Sequence, residues 1–167
     1  MYFTCTITRP ANISPAYGIG DVIGNADAAT PANAGSAVLL LSPGTGVLSS
    51  EAIITGYALK IGLTAIPVGM TTYRLHLYYG APDARLDAET WIKTSANDKA
   101  VYLGYVDMGT PAVVGGDLWV ETLGVNKQIR LPNGPGSLYG ELVTNGTYTP
   151  ASATVHEIVL YAVPVTN

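Results

Sequence analysis

Two histidines, one cysteine and twelve carboxylates are the side chains here best suited to catalysis or metal binding, and their spacing limits what they can do. His76 and His156 each stand inside a strand-like run. A metal pair would need a third ligand, and no HxH or HxxxH spacing supplies one. His76, between Arg74 and Tyr78 on a polar row, reads as a surface or interface residue rather than a base. Asp83, Asp87 and Glu89 share a loop and could gather around Ca²⁺, but they lack the glycine-punctuated order of a calcium loop. A solvated, helix-capping acidic loop is the expectation there. Asp107 and Asp117 flank the stretch MGTPAVVGG and read as turn residues. Cys5, mid-strand in YFTCTIT, reads as a small buried hydrophobe, and a lone cysteine forms no internal disulfide.

The glycine clusters are weaker candidates. Gly18-Ile19-Gly20 with Gly24, and Gly134-Pro135-Gly136 with Gly140, resemble phosphate loops only in spacing. Phosphate binding also needs a strand before and a helix after the glycines, so that helix amides face the anion. No Ser sits in a GxSxG elbow. Asn12 and Asn145 begin glycosylation sequons, which carry no weight without a secretory signal. Trp91 and Trp119 could stack on sugar rings, although burial in the core or at a subunit contact is the plainer reading. No catalytic site, metal or cofactor is expected.

The elements that position these residues are written in period two. Tyr57, Leu59, Ile61 and Leu63 alternate with Ala58, Lys60, Gly62 and Thr64, and Tyr73, Leu75, Leu77 and Tyr79 alternate with Thr72, Arg74, His76 and Tyr78. Such alternation places each set on one face of a strand, with Leu59, Ile61, Leu75, Leu77 and Leu103 inward. About nine or ten strands are expected from such runs and their turn signals. They are Tyr2–Thr8, an irregular strand near Asp21–Gly24, Ser36–Leu41 (stopped by the Pro43–Gly46 turn), Glu51–Ala65 and Thr71–Tyr79. Val101–Val106, Asp117–Thr122, Lys127–Leu131, Leu138–Thr144 and Thr154–Val163 follow. Asn145-Gly146 is the best signal for a type I′ hairpin, with Asn133-Gly134 a weaker one. The last strand is apolar on both faces, which fits a central position or burial by another subunit. Only Asp83–Thr90 could hold a helical turn. The fold class expected is all-β, a single antiparallel β-sandwich domain over residues 1–167, of jelly-roll type.

Composition narrows the partners. Of 167 residues, 48% are hydrophobic and 12% charged, about half the charge of an average soluble domain, so a partner is expected to cover part of the surface. Eleven Tyr against one Phe suit half-exposed interface positions. A net charge of −4 offers no footprint for nucleic acid or an anionic membrane. The N-terminus does not read as a signal peptide, and no apolar run approaches the roughly 20 residues of a membrane span.

Thr8-Arg9-Pro10-Ala11-Asn12, Tyr17 and Gly20-Asp21-Val22-Ile23-Gly24 resemble the start of a family of small tailed-bacteriophage virion proteins. Thr72–Tyr78, Tyr102–Val106, Leu138-Tyr139-Gly140 and Leu142-Val143-Thr144 are similar to later blocks of it. The resemblance implies a β-sandwich capsid decoration (cement) protein with no catalytic residue. It would be made in the host cytoplasm and carried on the virion, bound to the major capsid protein as a homotrimer. Arg74, His76, Tyr78 and Trp91 are the expected contact surface. The competing reading is a carbohydrate- or receptor-binding module of a phage fibre; a small β-barrel enzyme is a third.

Overall fold

The computed structural model of the chain describes residues 2–10, 16–25, 39–40, 42–43, 50–92, 95–132 and 138–165. The elements in chain order are β1 (Tyr2–Thr8), β2 (Val22–Ile23), β3 (Leu39–Leu40), β4 (Ser42–Pro43), β5 (Glu51–Ile61), β6 (Tyr73–Tyr78), α1 (Ala96–Val101), β7 (Tyr102–Met108), β8 (Ala112–Val114), β9 (Asp117–Arg130), β10 (Tyr139–Thr144) and β11 (Val155–Pro164). They form two antiparallel sheets. One runs β4-β1-β11-β5-β9-β8; the other runs β2-β10-β6-β7, with β3 also paired to β10. The sheets pack face to face as a β-sandwich, and one core cluster draws on both: Phe3, Ile7, Leu59, Ile61 and Leu160 from the first, Leu75, Leu77, Val106 and Leu142 from the second.

The alternation survives as register. Leu59, Ile61, Leu75 and Leu77 are fully buried, while Leu103 is only half-buried at the edge of the core. β11 lies between β1 and β5, the central one of the two placements its apolar faces fit. The first strand ends before Pro10, which has no amide hydrogen for a ladder.

Several expectations are corrected. Asp117–Thr122 and Lys127–Leu131 are one strand, β9, because a bulge carries the chain past Gly124 (φ 88°) without breaking the pairing to β5. Gly56 faces Leu123 at that step, and a Cβ there would lie 2.6 Å from the Thr122 carbonyl oxygen. The helical turn expected at Asp83–Thr90 is absent. The helix is α1, where Ser95 caps the amide of Asp98 at 2.9 Å.

The type I′ turn lies at Gly115-Gly116, both at positive φ between the paired residues Val114 and Asp117. The stretch read as a loop thus contains β8. Asn145-Gly146 makes no hairpin: Asn145 bonds back to Thr72, and Tyr148 bridges to Tyr17. Gly146 is there for close approach, since a Cβ would meet the Gly69 carbonyl oxygen at 2.3 Å. Pro43 pairs with Phe3. The rest of Ser36–Leu41 beyond Leu39–Leu40, Gly44–Gly46, Asn12 and Asn133-Gly134 lie outside the described residues.

Candidate functional site

β6 carries Arg74, His76 and Tyr78 on the face of its sheet that looks away from the core, as alternation with Tyr73, Leu75 and Leu77 dictates. That face is not open. His76 is 3% exposed and Tyr78 is fully buried, whereas Arg74 and Trp91 remain partly exposed. The cover is the chain's own segments 79–92 and 95–101, which lie over the sheet as a strap. Trp91 lies flat on His76, ring centroids 3.7 Å apart, and packs on Val22 and Val143. Its indole Nε1 donates to Glu141 at 2.9 Å. Tyr78 donates to the same carboxylate at 2.5 Å. Arg85 Nε lies 3.1 Å from Glu141, and its Nη2 donates to Asp98 at 2.6 Å and to the Ile92 carbonyl.

Burial raises the pKa of Glu141, against the opposing pull of Tyr78, Arg85 and Trp91. Tyr78 and Trp91 both donate to its Oε2, while Oε1 faces Arg85 Nε as an ion pair without a hydrogen bond, so the carboxylate ties the strap to the sheet. His76 Nδ1 lies 2.8 Å from the Tyr102 hydroxyl. The Arg74 guanidinium sits 4.2 Å over the Tyr105 ring and bonds Asp107 at 2.9 Å.

A second anchor holds the strap between Arg85 and Trp91. Asp87 is not solvated, as its loop had suggested. Arg9 Nε donates to it at 2.9 Å, the Tyr17 hydroxyl at 2.6 Å and the Gly24 amide at 3.0 Å. Neither the Arg9 nor the Asp87 side chain is exposed. Glu89 instead accepts from the Leu86 amide, and the exposed Asp83 accepts from Asn97. The three carboxylates therefore serve three separate partners. Among the described residues no group of three or more His, Cys, Asp or Glu side chains converges on one point. Asp107 lies within β7 rather than in a turn.

His156 faces the core from β11, and neither ring nitrogen makes a hydrogen bond. Burial, with the nearby Arg9 charge, pushes its imidazole down to about 4. Cys5 is half-buried, and burial pushes its thiol up to about 12, far from a reactive thiolate.

The six-stranded sheet behaves differently. No other element covers its outer face among the described residues. Leu123 is 72% exposed, Val163 46%, Tyr2 42% and Trp119 36%, with Val159 and Tyr161 half-buried between them. Charges on this face are few. Lys60 lies 3.4 Å from Asp117 and 3.5 Å from Glu157, and Tyr161 donates to Glu121 at 2.7 Å. Beside Leu123 the β9 bulge leaves a depression of 520 Å³ lined by Thr55, Leu123, Gly124, Val125 and Asn126.

Of the expected contact residues, the fold groups Arg74, His76, Tyr78 and Trp91, but encloses the middle two. Arg9, Arg85, Asp98 and Glu141 were missed. Arg9 was legible, because it continues the inward parity Phe3, Cys5, Ile7. Arg85, Asp98 and Glu141 carry no local signal. No protein-family model matches this chain, and no curated protein is significantly similar to it.

Proposed function

We propose that this protein is a non-catalytic capsid decoration protein, a β-sandwich of jelly-roll type that binds the outside of a tailed-phage head through the major capsid protein and stabilises the shell. The observation that carries the reading is the asymmetry of the sandwich. The chain covers one outer face with its own strap, while among the described residues no element lies over the other, which is rich in Thr, Tyr and aliphatic residues. Exposed apolar patches of that kind mark interaction surfaces. The low charge content and the sequence resemblance support the same reading. A homotrimer at three-fold positions of the shell fits it, because closed cyclic oligomers match such sites. The ordered N-terminal strand does not bear on oligomer state, since β1 pairs along its whole length with β11 of its own chain. The test is to add purified protein to expanded heads that lack it, then measure binding and resistance to disruption. Stoichiometric binding is expected; attachment to tails or host cells instead would move the assignment.

One observation favours the fibre-module reading. Trp119 is partly exposed on the open face, directly across from Lys60 and near Asp117, an aromatic ring with polar neighbours as a sugar site needs. A glycan-array signal lost in Trp119→Ala would support it. Trp91 is less suited, having one ring face against His76.

A further inference from the structure

We propose that the open face of the six-stranded sheet is the docking surface, and that its occupant is a repeated, cationic protein surface that seats an apolar side chain in the depression at the β9 bulge. The inference rests on the decoration reading and names the site and the partner's chemistry.

Charge argues for the occupant. The face carries two cations, Lys60 and Arg130, against four carboxylates, Glu51, Asp117, Glu121 and Glu157. Lys60 is already paired with two of them, so the surplus is negative. A second copy laid face to face would set like charge against like, which disfavours self-association. An anionic membrane or nucleic acid is excluded by the same sign. A protein surface offering Lys or Arg is complementary.

The area suits a protein partner: with 7, 10, 11, 14 and 3 residues in β1, β11, β5, β9 and β8, at ~4.8 Å spacing and ~3.3 Å rise, the face outlines about 700 Å². A stable one-to-one interface buries about 800 Å² per partner. Linked copies engaging the repeated sites of a shell add avidity to that contact.

The anchor follows from the bulge. Three residues, Gly124, Val125 and Asn126, stand opposite Thr55 alone, so β9 bows out next to the most exposed aliphatic side chain of the face, Leu123. An apolar side chain seated against Leu123 there would be shielded from water by the surrounding contact, the condition under which a few residues carry most of the binding energy.

The experiment uses the full chain and phage heads lacking it, with binding measured by co-sedimentation from low to high salt. Leu123→Asp and the pair Glu121→Lys with Glu157→Lys change exposed positions, and circular dichroism verifies folding. Lys99→Ala, at an exposed position of α1, is the control. Wild-type binding that weakens with salt, falls at least tenfold in both open-face variants and is unchanged in Lys99→Ala supports the proposal. Wild-type binding that both open-face variants retain overturns the site while the decoration reading stands. Absence of wild-type binding overturns both. Lys60-to-Lys60 cross-links between copies of the free protein would overturn the heterologous occupant.

Discussion

Acidification should unfold this protein in a way that one residue controls. His156 is fully buried without a hydrogen bond to either ring nitrogen, and burial and Arg9 hold its imidazole at about 4 against an ordinary value of 6.5. The folded state therefore keeps it neutral in a range where the unfolded chain binds a proton. Its contribution is fully present above pH ~6.5, declines as pH falls toward 4, and levels off below, where the folded state is protonated too. At ~1.36 kcal/mol per pH unit, the loss across that window is about 3 kcal/mol. Glu141 works in the opposite direction: its raised pKa means that the penalty of burying the carboxylate eases as pH falls. The comparison must therefore be between wild type and His156→Leu, which share every other titrating group. Urea denaturation at pH 7.5, 6.5, 5.5, 4.5 and 4.0 gives each stability, and their difference isolates the imidazole. Wild type is expected to lose about 3 kcal/mol relative to the variant between the ends of the series. A difference that stays constant with pH would refute the reasoning and imply that His156 is hydrated or hydrogen-bonded.

Asp87→Ala leaves the Arg9 guanidinium buried without its carboxylate and should cost about 3–5 kcal/mol in denaturant melts. A change under about 0.5 kcal/mol would show that the strap is not held there. Leu75→Ala, at a fully buried position, should cost about 2–5 kcal/mol, and a negligible loss would indicate that the register of β6 is wrong by one residue. At Gly69, with φ 87° and the Thr147 carbonyl oxygen 2.0 Å from a would-be Cβ, substitution by Ala should lower stability by at least ~1–3 kcal/mol. Thermal melts with and without chelator are expected to coincide, and a lower melting temperature with chelator would reveal a structural metal.

The strands were readable because their signal is short-range. A period of two needs only four to eight residues, and in β5 and β6 that pattern specifies which side chains meet the core whatever the rest of the chain does. The same locality explains two errors. Asn-Gly and Gly-Gly are both competent for a tight turn, and which one closes a hairpin depends on whether the flanking strands find each other. Val114 and Asp117 do; Thr144 and Thr147 do not, because Thr144 pairs with Tyr73 and the next residue, Tyr148, meets Tyr17. Two separate β-runs around Gly124 likewise become one strand only because β5 is long enough to pair with both.

The candidate surface was the least legible part. By itself, the sequence determined an all-β chain and the inward set Leu59, Ile61, Leu75 and Leu77. It also placed Arg74, His76 and Tyr78 together on the outer side of one strand. Only the tertiary structure decided that this outer side is closed, and that among the described residues no element covers the other sheet's. The strap is held by partners remote in sequence: Asp87 reaches Arg9 across 78 residues, and Trp91 reaches Glu141 across 50. Alternation tells which face of a strand a residue occupies. Whether that face meets water depends on what long-range pairing brings over it.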